Sequence, residues 1–246
     1  MTDVHCHLDN QLLGNYTPES GLVSITNGTG WKSSEKAIEL ASKDSSVWAC
    51  VGLAYEKGFK LSEAEKRLEN LAKNDKVVGI GECGLNYRQD TDDETKIYQH
   101  KLFRAHLAVA QRLGLPVEVH NRNADEDILK ILDEFRDVKI LMHCFTRGRE
   151  FMNKCVENGF YMSFGGLVTY ANNSRMKTMV KEVPSHLLLL ETDSPYSVPA
   201  GIKEPHNTPT NVKIVAEVVA ELRGCSVAEL EATTDANARQ LFFKLK

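Results

Sequence analysis

Hydrophobic and β-branched residues recur along the chain in eight short runs, at 2–7, 22–28, 47–53, 77–85, 116–121, 138–145, 160–166 and 187–195. Each has the length and residue bias of a strand. Several are apolar almost throughout, as strands covered on both faces are. Between most of them the apolar spacing lengthens to that of a helix. The segment 33–44 opens on Ser33 as a cap, with Glu35 two residues on, and 61–74 sets Leu61, Leu68 and Leu71 on one stripe. The long segment 93–114 closes on Gly114 just before Pro116, and 123–136, 147–159 and 175–183 follow in turn. Two more helical patterns, 208–224 and 226–243, come after the last strand. Strand–helix alternation of this kind predicts a parallel sheet. Eight such units in 246 residues predict a (β/α)8 TIM barrel occupying 1–246 as a single domain. The connection at 8–21 is short and poor in helix formers, so the first helix is expected to be small or absent.

Composition narrows the functional classes. Net charge is −4 and the pI is near 6.1, which does not predict a broad electrostatic grip on nucleic acid, so an anionic substrate must be held locally. No apolar stretch approaches the roughly 18 residues of a membrane span, and the polar first strand does not read as a signal peptide. Neither a membrane nor an obligate protein partner is indicated. The six cysteines form no C-x-x-C pair and no framework spacing, which predicts a reducing, cytoplasmic setting.

The barrel makes a demand on the chemistry, because active sites of this fold lie at the C-terminal ends of the strands. Side chains alternate along a strand, so Asp3, His5 and His7 share one face of the first and Val4 and Cys6 point the other way. Glu82 falls late in strand four, His120 late in five, His143 late in six and Asp193 at the end of eight. Six side chains able to bind a metal, from five strands, are thereby brought to one rim. Four imidazoles and two carboxylates exceed the needs of one ion. They suit two divalent cations that share a water, convert it to hydroxide and clamp a phosphoester. Zinc, manganese or similar ions match this donor set, and magnesium less well. Cys6, Cys83 and Cys144 each adjoin a proposed ligand and are expected beneath the helices. His106 reads as a packed helix residue, His100 and His186 as surface or packing residues, and His206 lies in a loop near the rim.

The motifs "DVHCHLD", "GECGLNY", "VHNR", "HCFTRG" and "ETDSPY", in this order, resemble those of the TatD family of metal-dependent deoxyribonucleases, and the similarity runs along almost the whole chain. The resemblance implies an amidohydrolase-like barrel in which His5, His7 and Asp193 serve one ion, His120 and His143 the other, and Glu82 bridges. It also implies Mg-supported 3′–5′ exonuclease activity on DNA. Three positions depart from the family pattern: Asn86 and Asn123 stand where acids are usual, and Asn207-Thr208-Pro209 replaces Asn-Glu-Pro. An amide at 86 keeps hydrogen bonding but no charge.

The expected activity is therefore a two-metal phosphodiesterase, a deoxyribonuclease with DNA or a nucleotide as substrate and Asp193 and Glu82 as catalytic groups. Hydrolysis of a small ester, lactone or amide on the same barrel is the alternative. No lysine falls late in strand four or five, where a carboxylated-lysine bridge of that alternative chemistry would need one. A non-catalytic scaffold is the third reading, and the complete ligand set weighs against it. Arg122, two residues after His120, and Arg147, at the loop after His143, are expected to meet a substrate phosphate, and Asp3, Asn86 and Asn207 to support the ligands.

Overall fold

All ten residues of strand β4 (Val77–Asn86) are buried, as its nearly unbroken apolar run requires. It is one of eight strands in the computed structural model, which describes residues 1–14, 16–54 and 58–245. The others are β1 (Thr2–Cys6), β2 (Val23–Asn27), β3 (Val47–Val51), β5 (Val117–Arg122), β6 (Ile140–Met142), β7 (Tyr161–Phe164) and β8 (Leu188–Leu190). They lie in sequence order in one sheet with parallel neighbours, the expected TIM barrel. Helices α1 (Trp31–Lys43), α2 (Leu61–Ala72), α3 (Asp93–Leu113), α4 (Asp125–Leu132), α5 (Arg149–Glu157), α6 (Ser174–Glu182), α7 (Val212–Arg223) and α8 (Val227–Leu241) join or follow the strands. Val4, Ile25, Val78, Leu107, Ile128 and Val215 are fully buried in the apolar core. Each large aliphatic side chain so placed contributes about 1.5–3 kcal/mol.

Among its described residues the link from β1 to β2 carries only a 3₁₀ turn, Gln11–Leu13, in which the Leu12 amide donates to the Asn10 side chain at 3.0 Å. Helix α1 starts three residues earlier than a cap at Ser33 predicts, its cap position being Gly30. Ser33 sits inside the first turn, and its hydroxyl reaches back to accept from the Gly30 and Thr29 amides at 2.8 and 2.9 Å. Among the described residues no helix is long and apolar enough to cross a membrane.

Two features of the barrel place the site. At the β4–β5 pair, a Cβ on Gly84 would lie 2.2 Å from the His120 carbonyl oxygen, and the residue has φ +132°, so only glycine allows this close approach. The barrel closes between β8 and β1 without a regular ladder. Asp193 N–H donates to His5 O at 2.9 Å and His7 N–H to Ser194 O at 2.8 Å. Beneath them Asp3 accepts from the amide and hydroxyl of Thr192, at 2.9 and 2.6 Å.

His106, on α3, is the packed histidine that its apolar stripe predicts. Its Nδ1–H donates to Leu102 O at 2.7 Å, and Nε2 accepts from the Leu53 amide at 2.9 Å, so the fold holds the neutral ring. Burial depresses it from 6.5 to about 4, against a smaller opposing effect of the Leu102 carbonyl. Its contribution to stability is therefore complete above pH 6.5 and is lost as pH falls towards 4, on the order of 2–3 kcal/mol. In urea unfolding at pH 7 and pH 4.5, the stability gap between the parent and His106→Gln should narrow by that amount at the lower pH. A gap independent of pH would show that the ring does not titrate with folding.

Candidate metal centre

The hydrogen bonds of the ring nitrogens fix the tautomers and so which lone pairs point where. His5 turns Nδ1 to Glu118 Oε2 at 2.7 Å, and His7 turns Nδ1 to Asn27 O at 3.0 Å. Their two Nε2 atoms then face each other at 3.3 Å. Asp193 Oδ1 lies 3.9 and 3.6 Å from them, and Glu82 Oε2 3.8 and 3.6 Å. On the other side His120 directs Nε2 to Asn86 Oδ1 at 3.1 Å. Its Nδ1 faces His143 Nε2 at 3.3 Å, and Glu82 Oε1 stands 3.2 and 3.4 Å from these two nitrogens. The six sequence-derived candidates thus gather into two clusters, and the two oxygens of Glu82 are divided between them. Converging imidazole lone pairs with carboxylates around them are the donor set of a divalent transition-metal site. The ligand atoms of His5, His7 and Asp193 lie within 4.8 Å of one another, as do those of Glu82, His120 and His143. The residues present fit such ions.

The electrostatics follow from this crowding. Burial alone would raise Glu82, but the imidazoles of His143 and His120 hold its carboxyl well below the usual range. Burial opposes the charged ring of His7, yet Asp193 and Glu82 outweigh it and lift the ring to about 9. His143 is likewise raised against its burial, by Glu82 and Glu191. Burial, with the neighbouring His143 and His7, pushes His5 well down, and burial pushes Glu118 up to about 8. The His5–Glu118 pair accordingly shares one proton. With Nε2 engaged by a cation, that proton belongs on Nδ1 and Glu118 accepts it.

Glu118 and Glu191 are buried acids that motif reading overlooked. Glu118 binds His5 and also accepts from the Cys50 thiol at 3.0 Å. Glu191 accepts from Ser163, and its other oxygen faces His143 Nδ1 at 3.8 Å, neither atom having a hydrogen-bond partner. Each acid precedes a rim residue by two, His120 and Asp193, so the period of two that located the rim could have located the layer below it.

Two expectations need correction. Asp193 does not lie on β8: the regular strand stops at Leu190, and Asp193 follows in the left-handed region at φ +54°. The irregular closure against β1 is what turns its carboxylate to the histidines. Cys144 is not beneath the helices. It has φ +45°, is half-buried and lines the rim cavity beside His143, whereas Cys6 and Cys83 are buried in the wall as expected. Arg147 is held by both oxygens of Asp125, at 2.7 and 3.0 Å, and by Asn123 Oδ1 at 3.2 Å, so its guanidinium is already paired where it lines the cavity. Asn123, one of the departing residues, is thus part of this clamp.

Asn86 and Asn207 differ in what they reach. Asn86 orients His120. Asn207 is fully buried and ties the loop after β8 by donating to Thr192 O at 2.9 Å, and it does not reach the ligand atoms. Arg122 is exposed at the cavity wall, together with Arg88, which lies two residues beyond the end of β4 and was not anticipated. His100 pairs with Tyr87 and His186 is exposed. His206 is half-buried and lies outside the rim cavity.

The comparisons with known proteins bear on this geometry. The sequence profile of the family described as TatD related DNase matches residues 2–243. The chain is 37% identical over 210 residues to the metal-dependent hydrolase YabD of Bacillus subtilis (strain 168), covering 84% of this chain and 82% of that protein. It is 32% identical over 226 residues to the 3′-5′ ssDNA/RNA exonuclease TatD of Escherichia coli (strain K12), covering 89% and 86%. The crystal structure of the TatD homologue YjjV of Escherichia coli K12 superposes with a TM-score of 0.84 at 26% identity, over 98% of this chain and 97% of that one.

Proposed function

The chain belongs to the TatD-related DNase family of metal-dependent hydrolases, and we propose that it is a two-metal phosphodiesterase that removes nucleotides from the 3′ end of single-stranded or damaged DNA. The observation that carries this reading is the division of Glu82 between two ligand clusters at the floor of a cavity of about 690 Å³ walled by Arg88, Arg122 and Arg147. In this reading His5, His7 and Asp193 hold one divalent ion, His120 and His143 the other, and Glu82 both. When bound, zinc, manganese or magnesium ions lower the pKa of a water and neutralise charge on the phosphodiester. The chain's own residues do the rest. Arg122 and Arg88, which have no carboxylate partner among the described residues, bind the non-bridging phosphate oxygens. Asp193, whose Oδ2 is fixed by the Ser197 hydroxyl at 3.1 Å, accepts the proton of the attacking water. The free thiols of the described structure suit the reducing, cytoplasmic setting expected from the sequence.

Incubation of metal-loaded protein with 5′-labelled single-stranded DNA, and with a panel of small esters, lactones and amides, tests the reading. Stepwise shortening from the 3′ end that a chelator abolishes is the expected result. Turnover of the small substrates with none of DNA would replace it by the alternative hydrolase.

Glu118 offers a subtler test. It touches no ligand position except through His5, so Glu118→Gln should leave the fold intact while weakening binding of the ion on His5 by roughly 10- to 100-fold. Metal titration by calorimetry reads this directly. Unchanged affinity would make Glu118 a packing residue only.

A further inference from the structure

A second cleft adjoins the ligand clusters. It measures about 280 Å³ and is lined by His7, Asp9, Asn10, Thr29, Ala54, Glu82 and Tyr196. His7, Glu82 and Tyr196 belong to both cavities, so the two spaces adjoin at ligand residues and one aromatic ring. Their chemistry is opposite. The larger cavity carries three arginines. Among the described residues the smaller one carries no lysine or arginine, and beyond the shared His7 and Glu82 its charged residue is Asp9, one oxygen of which is buried with no hydrogen-bond partner. A polyanion fits the first space and is disfavoured in the second.

Tyr196 has an unusual surface role. Large aromatic residues are normally buried, yet its side chain is 52% exposed. It is not loose: Asn10 Nδ2 donates to its hydroxyl at 3.0 Å, and the ring packs edge-on to His7 with centroids 6.0 Å apart. A ring held by both ends of its side chain and open to solvent is a ready stacking surface, with little entropy left to lose on binding. The cleft beside it lies at the small end of ligand clefts and has room for one nucleoside.

We propose that this cleft is the subsite for the terminal nucleoside of the polynucleotide, its base stacked on Tyr196 and its polar edge met by Asp9, Asn10 and Thr29. The inference rests on the phosphodiesterase reading and adds a direction to it. The scissile phosphate lies over the ligand clusters, the remaining backbone runs out through the arginines, and the last nucleoside enters a space that rejects a further phosphate. Removal of single terminal units follows from this arrangement, because a chain continuing past the cleft would bring its next phosphate against Asp9. Stacking on one aromatic ring discriminates poorly among bases, so the subsite requires a base without selecting which one.

The test compares a deoxydinucleotide with its analogue lacking the terminal base. The metal-loaded parent should prefer the dinucleotide by roughly tenfold in KM, the scale of one aromatic stack. In Tyr196→Leu that preference should fall to near unity. A preference that survives the substitution, or is absent from the parent, overturns the subsite. Should the parent hydrolyse neither compound, the phosphodiesterase reading fails separately, and binding still decides the subsite. The fluorescence of 2-aminopurine deoxyriboside phosphate should be quenched saturably by the parent and not by Tyr196→Leu, and equal behaviour of the two proteins would overturn it. Adding a phosphate to the terminal nucleoside should slow the parent, and Asp9→Asn should recover part of the loss. No recovery would remove Asp9 from the subsite.

Discussion

Glu82→Gln should lose both ions, and with them hydrolysis by roughly four orders of magnitude or more. The carboxylate faces His5 and His7 with Oε2 and His120 and His143 with Oε1. Glutamine has one acceptor oxygen, and its other terminal atom is a donor that meets imidazole lone pairs with N–H groups. Whichever way the amide turns, one cluster receives a donor where it needs an anion. The variant should still fold, because that donor satisfies the neighbouring rings by hydrogen bonding and the volume is unchanged. Loss of charge stabilisation and of the lowered water pKa together remove several kcal/mol of catalysis. Elemental analysis after reconstitution reads the ion count, and activity on labelled DNA reads the rest. Retention of one ion at the parent's affinity would mean that the two clusters bind independently and that Glu82 is no bridge. His120→Ala is the natural comparison, since it touches one cluster only and should cost one ion.

The rim of this barrel was legible in the sequence for a plain geometric reason. A strand shows its facing residues at a period of two, and the fold puts chemistry at strand ends, so His5, His7, Glu82, His120 and His143 could be placed from position alone. What escaped was whatever depends on the backbone leaving that regularity. Asp193 and Cys144 both adopt positive φ after their strands end, at +54° and +45°. For Asp193 the turn brings the carboxylate into the site, and for Cys144 it reverses the expected face. No side-chain pattern signals such a turn in advance. Arg147 shows a different limit. Its position at the rim was correct, but its pairing with Asp125 depends on a contact between two loops, which periodicity does not encode. Glu118 and Glu191 lay within reach. An acid in an otherwise apolar strand is costly to bury unless a partner awaits it, and both sit on the face already assigned to the metal centre.

Asp193→Asn should lower activity by roughly two to four orders of magnitude while at least one ion stays bound. The substitution isolates proton transfer unusually well here because the backbone tolerates it. Asp193 has a left-handed conformation, which asparagine adopts more readily than almost any residue but glycine. Its amide hydrogen bond to His5 O belongs to the main chain and is untouched. The amide oxygen can occupy the place of Oδ1, beside His7 Nε2 at 3.6 Å, and keep a ligand contact. The amide nitrogen can take the place of Oδ2 and donate to the Ser197 hydroxyl, which donates to the carboxylate in the parent. Geometry is thereby preserved, while the negative charge is removed and with it the capacity to accept a proton. Single-turnover rates on labelled DNA, measured beside the metal content of the same preparation, separate the two effects. A large loss of rate with the ions in place assigns the base to Asp193. Near-normal turnover with both ions bound would show that the water is deprotonated without it, leaving Asp193 as a ligand alone.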